Sequence, residues 1–189
     1  FYVVMVINVC SVLNCRCFGR GFVLYLFAFE IDVFVMEEKK FNNLNRTFAR
    51  RIGKTLTDIN KFAIENDIPL IPRAAGTSLS GQPIGKGIVV DVGRYMNQVL
   101  EVNKEESWAR IQPGVIRNEL NEYLEPYGLF FGPETSTQNR AMIGGMMGNN
   151  SCGANSVVYR DSRKHLLEVK GFLADGSEVT FGELTKEEF

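Results

Sequence analysis

Residues 143–159, IGGMMGNNSCGANSVVY, place Gly144, Gly145, Gly148 and Gly153 at close intervals beside Asn149, Asn150 and Ser151. Side chains removed this often let a backbone lie directly against another surface, and the neutral amides and hydroxyls supply donors and acceptors along it. Just upstream, GPETSTQNRAM at 132–142 adds Pro133, Glu134, Thr135, Ser136 and Thr137. Residues 129–160 as a whole show almost no hydrophobic periodicity, which for a loop of this length implies that it wraps something. Two readings stay open on these residues. One is a surface for a flat, polar heterocycle with a long tail, and the other is a glycine-rich Ω-loop packed on itself.

A second glycine-bearing loop lies upstream, RAAGTSLSGQ at 73–82. Gly76 and Gly81 permit close backbone approach, while Thr77, Ser78 and Ser80 add hydroxyls to a run of amide donors, the makings of an anion-binding nest. Arg73 at its start either adds a charge-assisted contact to a pyrophosphate or pairs with a carboxylate nearby. The loop is not a P-loop, because Gly81 is followed by Gln82 and Pro83 rather than by Lys-Ser/Thr opening a helix. It is not a dinucleotide fingerprint of the strand-turn-helix kind either, because Gly85 and Gly87 precede a strand.

Around these loops the periodicity is regular. Ile59, Phe62 and Ala63 fall at helical spacing, with Thr57 and Asp58 as candidate caps and Pro69 as the stop. Residues 68–71, 88–92, 99–102 and 108–111 read as strands, the second a buried β-branched run. After Pro113 and Gly114, the residues Ile116, Leu120, Tyr123 and Leu124 share one face of an amphipathic helix that ends at Gly128. Residues 166–174 and 178–181 flank Asp175-Gly176, which predicts a hairpin with a type I′ turn.

Composition narrows the function. The 189 residues carry 21 Lys and Arg against 22 Asp and Glu, so no basic field exists to attract nucleic acid. The cysteines Cys10, Cys15, Cys17 and Cys152 have no metal-site spacing, and they read as thiols of a reducing compartment. Residues 1–36 are rich in Phe, Val and Leu, but Glu30 and Asp32 sit in the longer apolar run. A carboxylate near the centre of a span costs roughly 2 to 3 kcal/mol, which argues against a transmembrane helix. The basic stretch at 41–54, with Arg46, Arg50, Arg51 and Lys54, reads as a solvated surface.

Taken together, IPLIPRAAGTSLSGQ and IGGMMGNNSCGANSVVY, linked by PGVIRNELNEYL and followed by HLLEVKGFLADGSEV, resemble the FAD-binding domain of the vanillyl-alcohol oxidase (PCMH) type. Within it they are most similar to the glycolate oxidase and D-lactate dehydrogenase branch. The resemblance covers residues 57–189 in the family's order. It implies an α+β fold in two lobes, a small α/β lobe at 57–102 and a larger antiparallel-sheet lobe at 103–189, the latter incomplete. It implies that Arg73, Ala74, Ala75, Gly76, Thr77, Ser78, Leu79, Ser80, Gly81 and Gln82 hold the FAD pyrophosphate. Pro133, Glu134, Thr135, Ser136, Thr137, Ile143, Gly144, Gly145, Asn149, Asn150, Ser151, Gly153 and Tyr159 would then lie along the flavin and its ribityl chain.

Some relatives attach FAD through a histidine of the first loop, but Thr77 stands at that place, so non-covalent FAD is implied. The single histidine, His165, is expected to be structural, and Cys152 a bystander. Arg160 stands where relatives have a glycine after the tyrosine. Residues 1–56 lack the tyrosine, the acidic residue and the proline-rich strand of relatives. They are expected to be an unmatched segment, mistranslated or disordered; reading the encoding DNA in its other frames tests this.

The activity implied is oxidation of a 2-hydroxy acid by hydride transfer to FAD. The acid would be bound by a cap domain that these residues do not include, so no catalytic residue and no metal is assigned. An electron-acceptor protein or an iron-sulfur domain is the implied partner, and the cytoplasm, or the inner face of the membrane, the implied location. The alternatives are an FAD-binding fragment without turnover, another oxidoreductase on the same domain, and a membrane-anchored protein resting on residues 1–36 alone.

Overall fold

The structure, a computed structural model, describes residues 56–182 together with the backbone of the strands β1 (Val4–Asn8), β2 (Cys10–Ser11) and β3 (Asp32–Met36). The expectations for Cys15, Cys17, the basic stretch at 41–54 and the first and last residues lie outside this set. Helix α1 (Leu56–Glu65) begins one residue before Thr57, so Thr57 and Asp58 occupy its first turn rather than its cap. Asp58 there is well placed against the helix dipole.

The end of α1 is chemically defined. Asp67 takes φ 53, the Asp67 amide donates to the Ile64 carbonyl at 3.2 Å, and the Ile68 amide reaches back to Ala63 at 2.9 Å. This is a Schellman closure with aspartate where glycine is usual. Asp67→Gly is expected to raise stability by about 0.5 to 1 kcal/mol, because the left-handed conformation penalises any Cβ. Thermal melts check it, and Asp67→Ala must show no such gain.

Beyond α1, β4 (Leu70–Arg73) runs parallel to β5 (Gly87–Asp91), and β3 pairs antiparallel on the other edge of β5. A five-stranded sheet follows in the order β10-β9-β1-β7-β6, built from β6 (Val99–Asn103), β7 (Trp108–Ile111), β9 (Leu166–Phe172) and β10 (Glu178–Phe181) around β1. All its pairs are antiparallel. Three strands thus come from residues 1–56, and the boundary expected at 102 falls inside β6, a strand of the larger sheet.

Alternation along β7 divides the interior. Trp108 faces a core with Ile59 and Ala63 of α1 and Ile88, Val90 and Val92 of the β5 segment. Ala109 and Ile111 face a second core with Leu120 and Leu124 of α2 (Arg117–Leu124), Phe131, Ile143 and Met146. The five-stranded sheet is therefore covered on both faces, and the arrangement is α+β.

The turn between β9 and β10 differs from the type I′ expected. The Gly176 amide donates to the Leu173 carbonyl at 3.0 Å and the Leu173 amide to Ser177 at 2.9 Å, with Gly176 at φ 86 and Asp175 outside the positive-φ region. That is the three-residue hairpin, a type I turn closed by a left-handed glycine. Asp175 prefers it because its carboxylate accepts from both the hydroxyl and the amide of Ser177. These two bonds hold the Asp175 pKa below the ordinary carboxylate value. The turn therefore gains from them above the unfolded carboxylate pKa and loses that gain as pH falls through the lowered folded value. An NMR titration should show Asp175 titrating low, and Ser177→Ala should move it upward.

Candidate functional site

The loop 73–82 leaves β4 with Arg73 as its last strand residue, so the strand end aims the chain at the site. Gly76 (φ 65) and Gly81 (φ 68) adopt left-handed conformations. At Gly76 a Cβ would also lie 3.0 Å from Arg73 Nε and 3.3 Å from Nη2, so the Arg73 guanidinium is folded over the glycine. Among the described residues the amides of Ala75, Gly76, Thr77, Ser78 and Leu79 donate to no backbone carbonyl. The tip is tied to itself. The Ser78 hydroxyl donates to Gln82 Oε1, Ile84 N donates to Gly81 O at 3.0 Å, and Leu79 is fully exposed.

The second segment is not the unbroken loop that its lack of periodicity suggests. It holds β8 (Leu129–Phe130), α3 (Ile143–Gly148) and α4 (Ser156–Tyr159). Helix α3 forms despite three glycines because its first amides bond outside it: Ile143 N to Val115 O at 2.9 Å and Gly144 N to Pro113 O at 2.8 Å. Ile143 and Met146, three apart, are buried. The glycines serve close approach. A Cβ on Gly144 would lie 2.6 Å from Pro113 Cβ, one on Gly153 would lie 2.6 Å from the Glu134 carbonyl oxygen, and one on Gly145 would lie 3.2 Å from Ala74 Cβ.

That last contact joins the two segments. Ala74 belongs to the first loop and Gly145 to α3, so the two segments approach where one carries only a methyl and the other no side chain.

Several expected residues are held by structural bonds. The Asn150 side chain, at φ 53, accepts from Arg163 N at 2.9 Å, and Ser151 Oγ donates to Asn149 Oδ1 at 2.6 Å. The buried Ser162 donates to Ser151 O through amide and hydroxyl. Glu134 accepts from Asn155 Nδ2, the Thr135 and Thr137 hydroxyls lie 3.5 Å apart, and Pro133 is buried. Ser136 is exposed. Tyr159 packs edge-on against Phe130 at 5.3 Å and covers Gly132. His165 is buried and its Nε2 lies 2.6 Å from the Tyr159 carbonyl oxygen. A carbonyl only accepts, so Nε2 carries the proton and the histidine serves as a structural donor. Cys152 is exposed.

Two residues that the sequence did not single out matter here. Arg117 donates through Nε to Pro133 O at 3.2 Å and through Nη2 to Phe131 O at 3.4 Å. Asn121, one turn on, exchanges two bonds with Phe131, its Oδ1 accepting from Phe131 N at 2.7 Å and its Nδ2 donating to Phe131 O at 3.3 Å. Burial lowers the Arg117 pKa from the usual guanidinium range and the Glu134 carboxylate offsets part of that. The signal available was two polar side chains at i, i+4 beside the apolar face of α2. Among the described residues no group of side chains could hold a metal ion, and no helix is long and apolar enough to cross a membrane.

Two glycine-bearing segments side by side, one with a row of amides that donate to no carbonyl among the described residues and the other lined with neutral polar groups, suit a dinucleotide with a flat ring system. The model of a family described as the FAD binding domain matches residues 54–182.

The chain belongs to the FAD-binding domain family.

Its FAD-binding domain is 47% identical over 105 residues to D-2-hydroxyglutarate dehydrogenase of Escherichia coli (strain K12), covering 56% of this chain and 10% of that protein. It is 35% identical over 142 residues to glycolate oxidase subunit GlcD of Bacillus subtilis (strain 168), covering 74% and 30%. It is 33% identical over 132 residues to mitochondrial D-lactate dehydrogenase [cytochrome] of Kluyveromyces lactis, covering 68% and 22%. The chain thus spans a tenth to under a third of these relatives. Its fold is similar to that of alkyldihydroxyacetonephosphate synthase, with TM-score 0.60 and 24% identity over 71% of this chain and 27% of that one. It is also similar to 6-hydroxy-D-nicotine oxidase from Arthrobacter nicotinovorans, with TM-score 0.59 and 21% identity over 67% and 27%. These two likenesses carry the fold alone. The resemblance to the vanillyl-alcohol oxidase type, with glycolate oxidase and D-lactate dehydrogenase among its similar members, agrees with these relatives.

Proposed function

We propose that the chain is the FAD-holding part of a flavin-dependent dehydrogenase or oxidase acting on a 2-hydroxy acid. The observation that supports it most is the contact of Ala74 with Gly145, which brings the amide-rich loop against the glycine helix. In this reading the first loop, 73–82, takes the pyrophosphate, with Arg73 as its cation. The loop 133–137 and the residues Ile143, Gly144, Gly145, Asn149, Asn150, Ser151, Gly153 and Tyr159 border the ribityl chain and ring system. Thr77 cannot form a histidyl-type bond, so the cofactor is held without a covalent link. When bound, FAD supplies the hydride acceptor, and the protein supplies orientation and exclusion of water.

The domain divides into a small lobe built on β4 and β5 and a larger one built on the five-stranded sheet. The acid is D-2-hydroxyglutarate, D-lactate or glycolate, as the relatives' names suggest, and a further domain binds it. The electrons pass to an acceptor protein or an iron-sulfur domain, in the cytoplasm or at the inner membrane face.

The purified chain mixed with FAD should turn yellow and retain flavin absorbance through gel filtration; colourless protein would sink the reading. Anaerobic addition of the three acids then separates turnover from holding. Bleaching assigns binding and oxidation of the acid to the chain itself, whereas stable colour is the result expected where a further domain binds the acid, and it fits equally the second reading, a cofactor-holding piece without activity of its own.

A further inference from the structure

Helix α2 touches the loop 133–137 at both of its ends. Before the loop, Arg117 binds the carbonyls of Phe131 and Pro133, and Asn121 pairs with the amide and carbonyl of Phe131 as a neighbouring strand would. After the loop, the helix's own first amides are satisfied by it: Arg117 N donates to Ala141 O at 2.9 Å and Asn118 N to Gln138 O at 3.2 Å. No side-chain cap is present at Ile116, so these two carbonyls do the capping. The loop itself is closed by Gln138 N to Thr135 O and Ala141 N to Thr137 O, and Glu134 is tied to Asn155 on the far side.

We propose that α2 is a bracket that fixes the loop 133–137 in the conformation that receives the flavin, with Arg117 and Asn121 as its positioning residues. The inference rests on the FAD reading above. Neither residue is assigned a contact with the cofactor; each acts through the backbone of 131–133. A planar fork that reaches two carbonyls from separate nitrogens is a geometric device, which a lysine cannot copy with one ammonium. The Asn121 pair likewise needs both a donor and an acceptor in one side chain.

The test uses the 189-residue chain and Arg117→Ala, Arg117→Lys, Asn121→Ala and Asn121→Asp, each titrated with FAD by fluorescence quenching, melted, and examined by visible absorption. Both alanine variants should weaken FAD at least tenfold and alter the shape of the bound flavin's longest-wavelength band. Arg117→Lys should fail to restore either. Asn121→Asp keeps the acceptor for Phe131 N, is nearly isosteric, and should lose several-fold in affinity; it decides the matter if the alanine variants do not fold. FAD affinity and spectrum unchanged while the melting temperature falls would overturn the proposal, as would full rescue by lysine. A wild-type chain that takes up no FAD overturns instead the reading on which it rests.

Discussion

Gly144→Ala is expected to destabilise the chain by about 3 to 5 kcal/mol, the sum of overpacking and of two backbone bonds pulled out of reach. The added methyl would fall 2.6 Å from Pro113 Cβ and 2.9 Å from its carbonyl oxygen, and neither belongs to a flexible side chain. Helix α3 must retreat, and Gly144 N to Pro113 O and Ile143 N to Val115 O lengthen together. Because α3 also carries Gly145, the retreat separates it from Ala74, so cofactor affinity should fall with stability. Urea unfolding and FAD titration of the same variant check both. The control is Gly148→Ala, where nothing beyond its chain neighbours and its own helix backbone lies within 4 Å of the added carbon and the change should be small. An unaltered midpoint for Gly144→Ala would mean that the helix and the Pro113 turn are not as close as described.

The second large effect has the opposite sign. Arg160 adopts φ 62, ψ −162, a region that only glycine occupies without strain. The conformation is imposed by its surroundings: Arg160 N bonds to Ser156 O at 2.7 Å, and the preceding carbonyl, of Tyr159, is held by His165. Strain of this kind costs about 1 to 3 kcal/mol, and the greater freedom of glycine in the unfolded chain returns up to about 1 of it. Arg160→Gly should therefore raise stability by about 1 to 2 kcal/mol. Arg160→Ala should not, since the penalty belongs to the Cβ and not to the guanidinium. Chemical denaturation of the pair separates the two cases.

Much of this was readable from residue order. The buried β-branched run at 88–92 located β5 to within a residue, because a strand covered on both faces is filled with apolar side chains. Asp175-Gly176 located the hairpin but not its turn type, because Ser177 lends the aspartate two donors in the three-residue form and the dipeptide alone does not reveal that. Helix α3 was illegible for a different reason. IGGMMG has poor helix propensity, and it is helical because Val115 and Pro113, about thirty residues upstream, accept its amides. The glycines at 144, 145 and 153 were recognised as making room, yet what they make room for is partly the protein itself. Arg117 and Asn121 are legible as a polar pair at i, i+4, but their role is not, because their partners are main-chain carbonyls and an amide, which carry no residue signature. Arg160 was conspicuous as a missing glycine, and its backbone conformation is the one a glycine would have taken freely.

The meeting of Ala74 with Gly145 sets a rule for how sequences of this kind can vary. With 3.2 Å between one methyl and the place where another would stand, the gap is tight for a second carbon. The two positions are thus one compartment shared between distant parts of the chain. A methyl gained at 145 obliges Ala74 or the helix to give by a few tenths of an ångström, and giving up the methyl at 74 removes that demand, so Gly145→Ala should cost less together with Ala74→Gly than alone.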